Sequence, residues 1–347
     1  MSPVMTASIT TLRAAPLVRT WLWLIALVIF TMVIVGGATR LTDSGLSITE
    51  WQPILGVIPP LNEADWQAAF ERYKQIPEYA VVNPGMTLES FKSIYWWEWT
   101  HRLLGRLIGV VFLIPFVFFW LTGRLNRRLL MGLATIFVLG GLQGALGWYM
   151  VESGLTDRTD VSQYRLAAHL LFATVIFGAL IWTALGLERE RKGRLDLAAL
   201  GLVILVFIQI GAGALVAGLD AGQGYNTWPL MDGSFVPPGL FAIEPAWKNL
   251  FESALTVQFD HRMIAYAVAL YAFVLAWRRQ TISAIAVLAL VLLQVSLGVW
   301  TLLTHAALPQ ALLHQAGAMV VFAAALWNLH ASMAQPARRA SVRFATP

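Results

Sequence analysis

Two short stretches hold the residue types that could do chemistry. Glu98, Trp99, Thr100, His101 and Arg102 open a run that stays uncharged to Leu121 apart from Arg106; Gln258, Phe259, Asp260, His261 and Arg262 open another. Two further histidines, His169 and His314, sit early in later apolar runs. An ionisable ring inside a membrane is costly and marks function. Imidazole is a common metal ligand, and two imidazoles projecting into one helix bundle meet the axial needs of a haem iron. The competing reading makes each histidine an interfacial polar residue hydrogen-bonded to a neighbour. His305 and His330 have no counterpart elsewhere in the chain and are assigned no ligand role.

The two stretches differ three residues before the histidine, where Glu98 faces Gln258. Spacing of i and i+3 puts Glu98 on the same helix face as His101, so its carboxylate can reach toward the same cavity. A carboxylate that merely complements a helix N-terminus is the plainer alternative. A titratable group beside one site and a neutral amide beside the other favours chemistry in the first half and electron transfer in the second. Arg102 and Arg262 stand where haem propionates could be met by charge-assisted bonds, or where simple interfacial anchoring would put them.

The elements that must position these side chains are membrane helices. Of the 347 residues 58% are hydrophobic and only 12% charged, which excludes a soluble domain with a large core. The pI near 9.7 reflects short basic clusters between apolar runs, so it points to membrane topology and not to nucleic acid. With no cysteine there is no disulfide, no thiolate-held iron–sulfur cluster and no Cys-x-x-Cys-His haem attachment. The first apolar run is of spanning length, follows Arg13 and Arg19, and lacks a clear cleavage site, so it reads as a retained helix.

Eight runs have spanning length: about 21–39, 99–121, 129–151, 165–187, 196–219, 257–277, 281–304 and 310–330. The termini and alternate loops hold 14 of the 24 basic residues: Arg13, Arg19, Arg124, Arg127, Arg128, Arg189, Arg191, Lys192, Arg194, Arg278, Arg279, Arg338, Arg339 and Arg343. Against Glu188, Glu190 and Asp196 that leaves +11 on one side and −6 on the other. Both termini are therefore expected in the cytoplasm and the long loops outside. In the longest outer loop, 41–97, Trp66, Phe70 and Tyr73 fall on one helical face behind Asn62, a good N-cap. The pattern predicts an amphipathic helix on the outer surface or capping the bundle. A second short helix is expected to start after Thr87 and to feed into the next apolar stretch.

The chain also repeats. Residues 36–51 align with 211–228, pairing Asp43 with Asp220, Gly45 with Gly222 and Trp51 with Trp228; His101 aligns with His261, 142–148 with 293–299, and 165–170 with 310–315. Features in the same order, on an even number of helices per half, mean parallel repeats about an axis along the membrane normal. The expected fold is an all-α polytopic membrane protein of eight transmembrane helices in two parallel-repeat four-helix bundles, divided as 1–190 and 191–347. All four histidines should lie within about two turns of the outer ends of their helices, a pair per bundle at one depth.

On these residues the chain resembles the heme A synthase family over nearly its whole length. The motifs are GGATRLTDSGLSITEWQPILGVIPP at 36–60, EWTHRLLGR at 98–106, AGLDAGQGYNTWPLM at 217–231, QFDHR at 258–262 and LLHQ at 312–315. Its cysteine-free outer loops are similar to those of the proteobacterial and mitochondrial branch. The resemblance implies oxidation of a methyl substituent of heme O, by successive hydroxylations, to the formyl group of heme A for cytochrome oxidase. It implies that His101 and His169 hold the substrate with Glu98 essential, and that His261 and His314 are axial ligands of a heme b cofactor. It also implies a bacterial inner membrane, with the haem sites near the periplasmic face. Heme O synthase, cytochrome oxidase assembly factors and a second copy of the chain are the partners such a role brings into consideration; the electron-transfer partner stays unnamed. Two other classes explain less. A non-catalytic bis-histidine cytochrome gives Glu98 and the long outer loop no role, and a duplicated transporter leaves the histidine pairs unexplained.

Overall fold

In lipid no water satisfies the backbone, so each apolar run must close its own hydrogen bonds as a helix. The computed structural model describes residues 3–188 and 193–333, and among them eleven α-helices: α1 (Pro3–Leu41), α2 (Glu63–Tyr73), α3 (Pro77–Val81), α4 (Leu88–Leu121), α5 (Arg127–Glu152), α6 (Gln163–Glu188), α7 (Leu197–Gly218), α8 (Asn249–Glu252), α9 (Ala254–Arg279), α10 (Ile282–Leu303) and α11 (Leu308–Met333). All but α2, α3 and α8 are long and apolar enough to cross a membrane, α1 from Pro16 onward. The described residues form no strand beyond an isolated bridge between Met231 and Ser234. The chain is an all-α, multi-pass membrane protein with eight spans, as its apolar runs require. Of the charges counted for the inner side, Arg189, Glu190, Arg191, Lys192, Arg338, Arg339 and Arg343 lie outside the described residues, as does the Arg13 side chain.

Helix neighbours close two rings of four. In the first, α1 packs on α4, α4 on α5, α5 on α6 and α6 on α1; in the second, α7 packs on α9, α9 on α10, α10 on α11 and α11 on α7. The rings meet through α1, α6, α7 and α11. These four are the most enclosed, with 44% of the α6 span buried against 11% of the α5 span. The outer helices carry exposed Trp120, Val138, Phe273 and Leu292, side chains suited to lipid tails. Lipid gives helices no hydrophobic reason to associate, so close packing and buried polar contacts must hold them. Tyr271 donates to the Ala198 carbonyl at 2.9 Å between α9 and α7, and Ser283 to Asn328 at 2.9 Å between α10 and α11. Gln315 Nε2 donates to the Val33 carbonyl at 2.9 Å, joining the two rings.

The outer loop forms a cap. Asn62 accepts from the Asp65 amide at 2.9 Å and starts α2, which buries Trp66, Ala69, Phe70 and Tyr73, the expected stripe. The stripe packs on the outward end of α4, with Trp66 and Tyr95 ring centroids 4.9 Å apart and Phe70 and Phe91 5.0 Å apart. Here the structure corrects the sequence reading. Thr87 is an N-cap, accepting from the Ser90 amide at 3.2 Å, and the helix expected there does feed into the apolar run, but as one helix, α4, unbroken to Leu121 and not as a separate short element. His169, His261 and His314 are the seventh, eighth and seventh residues of their helices, whereas His101 is the fourteenth of α4. The placement within two turns of a helix start fails for His101 because the aromatic cap stabilises extra turns beyond it.

Candidate functional site

Each histidine leans on a glycine of the preceding membrane helix. A Cβ built on Gly36 would meet His101 Nε2 at 3.0 Å, and one on Gly147 would meet His169 Cε1 at 2.9 Å. In the second ring, a Cβ on Gly213 would meet His261 Cε1 at 3.1 Å and one on Gly298 would meet His314 Cε1 at 2.8 Å. The same device therefore occurs four times, on α1/α4, α5/α6, α7/α9 and α10/α11. Only a residue without a side chain lets the ring stand that close to the neighbouring backbone.

Three of the four rings also have a glutamine. Gln143, Gln209 and Gln294 each stand four residues before the glycine, with Nε2 3.1 Å from Nδ1 of His169, His261 and His314 respectively. The same Nε2 atoms donate to the backbone carbonyls of those histidines at 3.0, 3.0 and 2.8 Å. All three Oε1 atoms are buried and unpaired. Met32 takes the glutamine's place before Gly36, and among the described residues no hydrogen bond reaches the His101 ring.

The His261 and His314 rings lie 6.3 Å apart, centroid to centroid, at an interplanar angle of 82°. With metal–imidazole bonds of about 2 Å, two rings sharing one iron have centroids on the order of 6 Å apart. The pair therefore fits bis-imidazole ligation as it stands. Among the described residues no three or more His, Cys, Asp or Glu side chains converge on one point. Among the described residues the His101 and His169 rings form no comparable ring pair.

Glu98 is buried, at 2% exposure, and fully engaged. Its Oε2 accepts from Ser47 Oγ and the Ile48 amide, both at 2.7 Å, and its Oε1 accepts from Arg102 Nε at 3.0 Å and Nη2 at 2.6 Å. Arg102 also donates to the carbonyls of Ile48 at 2.7 Å and Glu50 at 3.0 Å. The second ring repeats the clamp with opposite polarity. Gln258 Nε2 donates to the carbonyls of Ala221 at 2.6 Å and Gly224 at 2.7 Å, and its Oε1 accepts from Arg262 at 3.0 Å. Arg262 donates to the carbonyls of Tyr225 at 2.7 Å and Thr227 at 2.9 Å. Glu98 thus holds the 47–50 strap and is not bonded to His101. Most of each guanidinium is spent on loop carbonyls, though Arg262 keeps a buried Nε–H without a partner, a donor that could meet a propionate.

Residues 19–326 match the COX15-CtaA family, described as cytochrome oxidase assembly protein. The heme A synthase of Parvibaculum lavamentivorans is 55% identical over 320 residues, covering 89% of this chain and 92% of that one. Those of Mesorhizobium japonicum and Azorhizobium caulinodans are each 54% identical, covering 91% and 92% of this chain and 91% and 95% of theirs. The chain belongs to the heme A synthase family.

In this heme A synthase family member, the glycines and glutamines are the site residues that sequence reasoning passed over. The aligned stretches at 142–148 and 293–299 contain Gln143, Gly147, Gln294 and Gly298, and the Gln-x-x-x-Gly spacing recurs at Gln209 and Gly213. That spacing puts both residues on one helix face. It was visible as a pattern, but which ring it served needed the packing.

Proposed function

We propose that the protein oxidises the methyl substituent of heme O to the formyl group of heme A in its first ring, residues 1–190. The second ring, residues 191–347, would hold a resident heme b as an electron-transfer group. The observations that support this division are the His261–His314 pair, spaced for a shared iron, and the carboxylate of Glu98 standing where the second ring has the neutral Gln258. Converting a methyl to a formyl group removes four electrons and four protons as one water oxygen enters. A bound heme b supplies one-electron transfer between the substrate and an external acceptor. His101 and His169 hold the substrate, His261 and His314 the cofactor, and the clamp on Glu98 keeps an acidic group beside the first site. Arg102 and Arg262 anchor the loops over the two sites, with Arg262 Nε free to meet a propionate. The basic clusters support a bacterial inner membrane with both termini cytoplasmic and the haem sites toward the periplasm. Heme O is then taken from the bilayer or from the enzyme that makes it, and heme A passes to cytochrome oxidase assembly.

The test is the identity of the extracted porphyrins together with single substitutions. His261→Ala or His314→Ala should strip heme b from the purified protein, because an axial ligand is lost. His101→Ala or His169→Ala should leave that pigment and abolish conversion of added heme O. The opposite pattern would reverse the assignment.

A further inference from the structure

The two outer loops match residue for residue up to a tryptophan and then part. Arg102 takes the carbonyls of Ile48 and Glu50, and Arg262 takes those of the aligned Tyr225 and Thr227. Trp51 and Trp228 end the likeness. One turn further along α4, Arg106 donates from Nε to the Pro53 carbonyl at 2.9 Å and from Nη2 to the Gln52 carbonyl at 2.8 Å. The aligned residue on α9 is Tyr266, whose hydroxyl accepts from the Trp228 indole at 3.1 Å, and the second loop then turns into the Met231–Ser234 bridge. The first loop instead follows α4 inward. Between its contacts with Arg102 and with Arg106 it moves four residues along the helix, about 6 Å toward the membrane centre. A short 3₁₀ turn, Leu55–Val57, seats on Arg106, where a Cβ on Gly56 would meet Nη2 at 2.7 Å. The chain then returns to Asn62 and α2, which packs on the outward end of α4.

Residues 51–61, WQPILGVIPPL, carry no charge. A run of that length is too short to span and suits a re-entrant or interfacial segment. Its apolar side chains point away from the protein: Ile54 is 80% and Leu55 72% exposed, and Ile58 is exposed as well. They continue the surface of α4 below them, where Val110 and Ile114, one and two turns past Arg106, are exposed too. The backbone suits an apolar medium. Its three prolines have no N–H, the amides of Gly56, Val57 and Ile58 bond to carbonyls within the turn, and Arg106 covers those of Gln52 and Pro53. Aromatic rings of the kind found at a lipid–water boundary stand at the entry, with Trp51 5.0 Å from Trp148 of α5, centroid to centroid. We propose that residues 51–61 form a re-entrant loop in the leaflet on the cap side, with Ile54, Leu55 and Ile58 among the lipid acyl chains. The strap that Glu98 and Arg102 hold is then continuous with a segment anchored in lipid.

The experiment uses the full-length protein in phospholipid vesicles. Because the chain has no cysteine, single introduced cysteines can carry a nitroxide label to chosen sites. Collision of the label with oxygen, which concentrates in lipid, is compared with collision with a water-soluble nickel chelate. Val138→Cys, on the exposed apolar face of α5, and Ala64→Cys, on the exposed face of α2, set the lipid and water limits. Leu55→Cys and Ile58→Cys should shift to the oxygen side, with ratios near that of Val138→Cys. Ratios near that of Ala64→Cys would put the loop in water and overturn the inference. Low collision with both probes would mean that protein covers the loop, and would overturn it as well; a disulfide-linked dimer of unlabelled Leu55→Cys would then identify the cover as a second copy of the chain. Should Leu55→Cys fail to insert, Ile54→Cys takes its place. Neither haem content nor turnover enters the readout, so the loop's position is decided separately from the proposed function.

Discussion

Glu98 and Gln258 differ by one charge, and the loops they hold are matched to that difference. The first strap offers donors, Ser47 Oγ and the Ile48 amide, which suit a carboxylate. The second offers the carbonyls of Ala221 and Gly224, which suit a carboxamide. Glu98→Gln therefore does more than remove an ionisable group. Its Nε2 must face either the Ile48 amide or the Arg102 guanidinium, leaving a buried donor without an acceptor at a cost of roughly 1–3 kcal/mol. The expected result is loss of heme A formation by on the order of 10²–10⁴-fold together with faster proteolysis at residues 44–52. Ser47→Ala separates the two effects, since it loosens the strap and keeps the carboxylate. Full activity in Ser47→Ala with loss in Glu98→Gln would assign the defect to the charge; parallel losses would assign it to the strap. Chromatography of extracted haems reads both.

At the scale of elements, the cap over the first ring carries a group with a large pH response. Glu78 on α3 is buried at 3% exposure, and burial, with the carboxylates of Glu98 and Asp43 nearby, pushes it up from 4.5 to about 8, opposed by the Tyr73 hydroxyl and Arg40. The folded state therefore holds a proton that the unfolded chain releases across that window. Stability from this proton is fully present below pH 4.5 and is lost as pH rises through about 8, a change on the order of a few kcal/mol. Glu78→Gln should remove this part of the dependence, so its melting temperature in detergent should fall less between pH 5 and 9 than that of the wild type. Equal slopes would show that Glu78 is not what loosens the cap. The cap also marks where sequence legibility ended. The α2 stripe was readable because Trp66, Phe70 and Tyr73 repeat with helical period behind a capping Asn62. A helix start after Thr87 leading into the apolar stretch was readable too, but not that the two form one helix, since residues 88–98 mix Glu89, Ser90, Lys92 and Ser93 with aromatics and look like a surface helix. Their continuity depends on α2 covering Phe91 and Tyr95, a contact between segments far apart in sequence. The histidines were legible through the repeat, while the glycine and glutamine supports gained meaning only once neighbouring helices were paired.

At the scale of the whole molecule, the two rings are joined near their outer ends as well as through their cores. Arg40, at the end of α1, donates to Asp43 at 3.2 Å and to Asp220 at 2.7 Å, so one guanidinium bridges the repeat-related aspartates of both halves. Both aspartates take the left-handed backbone conformation, with φ of 47° and 49°. Such a bridge requires the outer ends of α1 and α7 to lie on the same side of the membrane, as parallel repeats demand and inverted repeats forbid. We propose the absolute orientation from the charge distribution, because basic clusters stay cytoplasmic. Reporter fusions placed after Arg128 and Arg279 should read cytoplasmic, and a fusion after Asp232 should read periplasmic. Asp232 follows α7 in the same outer segment as Asp220, so its fusion also fixes the side of the Arg40 bridge and of the Glu98 clamp that begins a few residues on. Cytoplasmic activity after Asp232, with periplasmic activity after Arg128 and Arg279, would invert the molecule and place both proposed haem sites at the inner face. Mixed signals from Arg128 and Arg279 would break the parallel relation itself, and with it the argument that the two histidine pairs are copies of one site.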